Sequence, residues 1–486
     1  MYKSNCIDVF MTKKLKFFFL LYLFFVPLLM GISYFESILT DNLIPLMAVF
    51  LFIYGITVIF TIALNGIFSL YAIYLYTSMF FIYNCFVLHI FNDKNFLLQT
   101  FPQTYWIEQE FGIIFIICCY VTVYFTHIAY VLKNKKKCIE LRQNQHTPQW
   151  EFTGKCLMYI SILPVIIKAL IEFRYISEEG YFANTTGMFI EYPFWLSGAF
   201  TLFVAGYLIF LASNPNKKSY IIFSALFFGV FLLSALKGQR SQIISLLIFL
   251  FYWFCNKYNY RICWQQITLI GVFAISTTCY LGIIRESYGK YPPVTTEKNE
   301  GLLIKNLYEQ TTSRAVPLLI IQGDLQHRQY PFIFAPLLRP VNNILYPHLG
   351  QDIAYLEKFN DISAVTMYNV SENAYLTGRG YGSAFLAEAY DLGGYLGVAV
   401  LSFLLGLFLA FCDYSRLQVK NIYIPILFYG IMTVIILPRG RYLGFMSDIN
   451  KIIFTYMVLM LIIIMNLKNQ NKILSPALTP RKQEMI

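Results

Sequence analysis

Apolar runs of spanning or near-spanning length recur along the whole chain, and no other feature limits its fold as much. The first, at about 15–35, carries Phe17 to Tyr34 behind the basic cluster Lys13-Lys14-Leu15-Lys16. Others follow at about 43–63, 67–90, 112–132, 156–171, 194–212, 220–236, 242–255, 265–284, 388–411, 422–437 and 452–467. A membrane helix needs about 20 apolar residues. A single run of this kind reads equally well as a buried core helix, but a dozen do not. With 58% hydrophobic and only 13% charged residues in 486, the chain reads as an all-α polytopic membrane protein with about 12 transmembrane helices. No small-residue cleavage site follows the first run, so it reads as an uncleaved span and not a signal peptide.

Lys and Arg set the orientation. With both termini cytoplasmic, the inner segments hold Lys133 to Lys137, Lys217-Lys218, Lys257 to Arg261, Arg416 to Lys420 and the tail from Lys468. About twenty of the 37 Lys and Arg then lie inside, with about five of the 26 acids. The net charge of +11 is thus a topology signal; no nucleic-acid motif accompanies it. The same assignment divides the chain into spans one to nine (1–284), one long outer loop (285–387), and spans ten to twelve with a cytoplasmic tail (388–486). The loop is too long for a mere connection, and its mixed polar and apolar pattern predicts short helices lying over the membrane domain. The ten cysteines include no CxxC, and none lies in that loop, so neither a disulfide framework nor a zinc site is expected.

Arginines on the outer side run against the charge rule. Arg240 stands in the turn Lys237-Gly238-Gln239-Arg240-Ser241-Gln242, Arg439 and Arg441 in Pro438-Arg439-Gly440-Arg441, and Arg285 ends span nine. Arg314, Arg328, Arg339 and Arg379 lie in the long loop. Any one of them can snorkel to headgroups or pair with a nearby acid. Two tight turns holding little besides positive charge point to a shared role. Guanidinium is a planar donor fork that stays charged, which suits it to phosphate, and near an outer membrane surface to the diphosphate of a polyprenyl-linked glycan. The loop ends in Gly378-Arg379-Gly380-Tyr381-Gly382-Ser383, followed by Ala384 to Gly397. Gly380 and Gly382 mark a break in the backbone, and Ser383 reads as the N-cap of a helix from Phe385. Glu388 and Asp391 then share a face, on a helix of about 42 Å that would project beyond the hydrocarbon core. Gly393, Gly394 and Gly397 read as a helix-packing surface. Glu388 either complements the helix dipole or acts as a general base on a sugar hydroxyl. The glycine pattern is not a Walker loop, because the Gly-Lys-Ser/Thr is missing.

At these residues the chain resembles the Wzy-type polymerases of O-antigen and capsular repeat units. The resemblance rests on the segment GYGSAFLAEAYDLGGYLG, the GQRSQ turn and the long outer loop between them. It implies a glycosyltransferase of the bacterial cytoplasmic membrane that needs no cofactor, nucleotide sugar or metal. Such an enzyme moves a growing glycan from undecaprenyl diphosphate onto a new lipid-linked repeat unit. Its partners would be that lipid-linked oligosaccharide, membrane lipid, a chain-length regulator and a flippase. The family's loop arginines map by position onto Arg240, Arg379, Arg439 and Arg441, with Arg285, Arg314 and Arg339 next. Arg240, Arg439 and Glu388 are the catalytic candidates; Arg379, Arg441, Arg285, Arg314 and Arg339 are the substrate-binding ones. An Arg-x10-Gly pattern joins Arg339 to Gly350, a spacing that chance readily supplies.

Three rivals stay open. An O-antigen ligase-like transferase would use the same donor with another acceptor. A flippase of the same lipid-linked unit predicts repeats and mid-bilayer charges, whereas the charges here gather at one edge. A metal-using glycosyltransferase dependent on a lipid-phosphate sugar would carry an acidic pair in an early outer loop; Glu108-Gln109-Glu110 fits this loosely and reads better as a solvated acidic turn. His327 and His348 remain alternative bases.

Overall fold

The computed structural model describes residues 13–91, 97–100, 105–133, 146–179, 192–235, 240–260, parts of 263–280, 311–346 except 324, 349–415 and 419–474. Nine helices among the described residues are long and apolar enough to cross a membrane, so the chain is a multi-pass helical membrane protein. The first six of the nine are α1 (Lys13–Thr40), α2 (Ile44–Asn65), α3 (Leu70–Phe91), α4 (Gln109–Lys133), α5 (Pro148–Glu179) and α6 (Trp195–Ala212). Next come α7 (Lys217–Ala235) and α8 (Arg240–Tyr258), which cover the expected runs 220–236 and 242–255 but are not among the nine. The expected run 265–284 falls mostly outside the described residues.

From residue 311 the chain makes short helices: α9 (Ala315–Gln322), α10 (Ala335–Leu345), α11 (Ile353–Phe359), α12 (Ile362–Val370) and α13 (Glu372–Leu376). Their starts are written locally. Asp352, Asp361 and Ser371 each accept a backbone N–H from the first turn of the helix they precede, satisfying donors that a helix start leaves open. Three last spans follow: α14 (Phe385–Ser415), α15 (Ile424–Ile436, within the span Asn421–Arg439) and α16 (Ile449–Leu474, within Gly444–Met465 at its start).

Helices meet where side chains are smallest. A Cβ on Gly406 of α14 would collide with the Thr126 carbonyl of α4, and α5 crosses α6 where Gly154 and Gly206 face each other. The α3 span is central, with 67% of its apolar window buried against 17% for Gly444–Met465, which lies at the periphery. At the start of α3, the Asp413 carboxylate of α14 accepts the N–H groups of Leu70 (2.7 Å) and Tyr71 (3.2 Å) and the hydroxyls of Tyr130 (2.8 Å) and Tyr252 (3.3 Å). One half-buried acid thereby ties four helices together.

Three sequence expectations for α14 are corrected. It is not one straight helix: Gly393 (φ −177°, ψ 37°) and Gly394 (φ +57°, ψ −140°) interrupt it. Residues eight apart in a straight helix are about 12 Å apart, yet a Cβ at Gly397 would strike the Ala389 carbonyl, which records a sharp kink. Nothing lies within 4 Å of where a Cβ would stand on Gly393 or Gly394, so that pair is a break and not a packing surface. The piece from Tyr395 to Ser415 is about 30 Å long, enough for the hydrocarbon core by itself. Nor does Ser383 cap the helix. The Ala384 carbonyl accepts the first helical bonds, from Ala387 and Glu388, and the Ser383 hydroxyl is buried without a hydrogen-bond partner.

Candidate functional site

The short first piece of α14 carries Glu388 into the protein. Its side chain is 0% exposed. One carboxylate oxygen accepts the Tyr442 N–H at 2.7 Å; the other is buried with no hydrogen-bond partner. An open acceptor on a buried carboxylate is costly and rare, and functional sites are where that cost is tolerated.

Tyr442 belongs to the turn after α15, and that turn delivers two arginines. Arg441 places a guanidinium nitrogen 2.5 Å from Asp361 Oδ1 and interacts electrostatically with Glu388. Arg339 of α10 reaches the other oxygen of Asp361 at 3.2 Å. Asp361 also accepts the Ser363 N–H at 3.0 Å, and the Tyr355 hydroxyl stands 3.5 Å away. Burial alone would push the Asp361 carboxyl up, but Arg441 and Arg339 overcome it and hold it at about 2. Arg441 is held above its ordinary value in the same way: burial opposes its charge, and the Asp361 and Glu388 carboxylates more than restore it. Burial, then the neighbouring Asp361 charge, pushes the Tyr355 phenol up to about 12.

Arg439 takes a different path. Its guanidinium carbon lies 5.9 Å from the centre of the Phe81 ring, a cation–π geometry. Phe81 is ten residues from the end of α3 at Phe91, or about 15 Å along the axis. The arginine therefore lies beside the middle of α3 and not at its end. A Cβ on Gly382 would come 3.9 Å from Arg439 Nε. Gly382 has φ +88°, which glycine adopts freely and other residues do not, and its N–H donates to Ser363 Oγ at 2.9 Å. The stretch Met79–Tyr83 around Phe81 is a π-helix, a local widening frequent at functional sites. A 3-10 turn, Thr311–Arg314, also packs on it. That turn donates Ser313 Oγ to the Phe81 carbonyl at 3.3 Å and carries Arg314, which is only 6% exposed.

Of the sequence candidates, Glu388, Arg339 and Arg441 thus stand around Asp361 and the turn after α15, while Arg439 and Arg314 stand beside the Met79–Tyr83 stretch. Arg379 is half-buried in the adjoining turn, where Gln351 Nε2 donates to its carbonyl at 3.2 Å. Arg240 is the first residue of α8, but its side chain lies outside the described residues, as do Arg285 and His348. His327 sits edge-on to Tyr368, 4.0 Å from Glu357. Asp391, expected beside Glu388, instead accepts the Phe332 N–H at 2.9 Å and pairs with Arg328 at 2.9 Å. Glu110 is exposed in the first turn of α4. Among the described residues no three His, Cys, Asp or Glu side chains stand close enough to hold a metal ion.

Asp361 is the main residue that sequence reasoning missed. Asp361-Ile362-Ser363 before an apolar run signals a helix start, but nothing local shows that the cap also receives two distant arginines. The same holds for the buried polar atoms without partners on Ser383, Gln351 and Tyr330. Comparison with known proteins adds one match: the model of the family described as O-antigen polysaccharide polymerase Wzy covers residues 15–472. No curated protein and no solved structure matches the chain.

Proposed function

Because the chain belongs to the O-antigen polysaccharide polymerase Wzy family, whose members act on lipid-linked oligosaccharide repeat units in membranes, we propose that these residues line a recess that performs the polymerising transfer. The donor is a growing glycan on undecaprenyl diphosphate, and the acceptor is the sugar end of a new lipid-linked repeat unit. The recess opens away from the cytoplasm of a bacterial inner membrane, with about twelve spans and both termini inside, as the Lys and Arg partition favours. A chain-length regulator and a flippase serve the same pathway.

The observation that carries this reading is the open, buried oxygen of Glu388 with Arg441 beside it. An acceptor hydroxyl placed there donates its hydrogen bond to Glu388 and gives up its proton as its oxygen attacks the donor sugar C1. The C1–O bond breaks, and its electron pair leaves on the diphosphate. Arg439, with Arg314 and Arg379 around it, neutralises that growing charge. Asp361 is a positioning residue that fixes Arg441 and Arg339. The partnerless polar atoms of Ser383, Gln351 and Tyr330 offer hydrogen bonds to sugar hydroxyls. Arg240 and Arg285 are proposed as further donor contacts from their place in the sequence.

The test is complementation of a deletion strain together with analysis of the lipid-linked pool. Wild type restores polymer, whereas Glu388→Gln and Arg439→Ala give normal protein levels, no polymer and retained single-repeat product. Loss of single-repeat product as well favours a flippase, and full-length chains that fail only to reach their final acceptor favour a ligase. Polymer of normal length from Glu388→Gln refutes the assigned base.

A further inference from the structure

The helix that supplies Arg339 is built the wrong way round for a surface in water. In α10, Leu337, Leu338, Val341, Ile344 and Leu345 fall within one arc of about 120° at 100° per residue. Arg339, Asn342 and Asn343 fall on the opposite side. A solvent-facing helix turns its polar side outward. Here the apolar arc is the exposed one: Val341 is 53% exposed, Ile344 75% and Leu345 62%. Part of the other side faces protein, where Ala335 and Pro336 are buried, Arg339 reaches Asp361 at 3.2 Å and Asn342 Nδ2 donates to the Lys358 carbonyl at 2.6 Å, while Asn343 stays exposed.

A neighbour shows what covers this face. α10 packs against Gly444–Asp448, the turn that opens the Gly444–Met465 span. That span turns Ile453, Met457, Met460 and Leu461 outward at its own lipid-facing surface. The exposed arc of α10 therefore lies beside the start of a span whose outward face is apolar. At 11 residues, or about 16 Å, the helix is too short to cross.

We propose that α10 lies in the plane of the membrane, on the side of the recess, with its apolar arc seated in the acyl boundary of that leaflet. Its partner is bulk bilayer lipid, and this holds independently of the reaction assigned above. The arrangement has one consequence for the site. Because Arg339 and its link to Asp361 ride on the inner side of a lipid-seated helix, the membrane itself fixes the level of that end of the recess.

Depth measurement on the full chain tests this directly. Single cysteines at Ile344 and at Asn343, in a background whose native cysteines are replaced and which still makes polymer, carry a fluorescent bimane. The protein is placed in nanodiscs of phosphatidylethanolamine and phosphatidylglycerol containing some 5-doxyl phosphatidylcholine. With the arc buried roughly 5–10 Å into the interface, the label at 344 is quenched several-fold more by doxyl lipid than that at 343. Aqueous iodide gives the reverse order. Equal iodide quenching at both positions overturns the proposal. So does a label at 344 protected from both quenchers, which would mean a second copy or another part of the chain covers the arc. Quenching at 344 that appears only with an added nitroxide-labelled polyprenyl diphosphate also overturns it in favour of the substrate tail.

Discussion

Asp361→Asn isolates the contribution of the charge that organises the recess. Asparagine keeps the shape and retains an oxygen to cap α12, but removes the negative charge from between Arg441 and Arg339. Asp361 falls from an ordinary 3.8 to about 2 in the folded chain. One pKa unit is 1.36 kcal/mol, so the ionised carboxylate contributes about 2 kcal/mol at neutral pH. Breaking a buried pair outright costs about 3–5 kcal/mol, which brackets the effect from above. The folded value is the lower one, so the contribution is full above the unfolded value near 4 and disappears as pH falls through about 2. The expected result is an apparent melting temperature several degrees below wild type in detergent at pH 7. The gap should be unchanged from pH 8 to pH 5 and begin to close below about pH 4. Arg441→Met should be damaging too, and the double variant less so than the sum, with coupling of at least ~1 kcal/mol. Strict additivity, or a gap that widens as the medium is acidified, would refute the argument.

Other expectations concern geometry more than charge. Gly382→Ala forces a side chain onto φ +88° beside Arg439; a cost of about 1–2 kcal/mol is expected, with polymer yield in complementation falling more than protein level. Gly406→Leu would drive α14 from α4 at the Thr126 carbonyl; overpacking of about 1–3 kcal/mol should lower the melting temperature or membrane yield. Asp413→Ala strands two backbone N–H groups at the start of α3, worth about 1–3 kcal/mol each. Being outside the recess, it should reduce melting temperature while the surviving protein keeps its KM.

Residue type and spacing alone were enough to show a multi-pass membrane helix bundle, because the cost of exposing apolar surface or unpaired backbone in the wrong solvent depends on composition over a window and not on partners. The same local logic marks the family-specific stretch around Glu388 and the clustering of arginines in short turns. Partnership was not legible. Asp361 reads as a helix cap until folding brings it Arg339 and Arg441, and Asp391 reads as Glu388's companion until Arg328 and the Phe332 N–H claim it. Gly393 and Gly394 look like a contact surface by composition, but the backbone uses them to break α14. That break lets Glu388 leave the line of the span and turn into the protein. An ion pair or a kink is decided by which groups the whole chain brings within a few ångströms, and a change of an ångström or two outweighs any local preference. The sequence determined the solvent this protein inhabits and the candidate residues for its chemistry. Only the tertiary structure decided which carboxylate stays open and which is held by arginine.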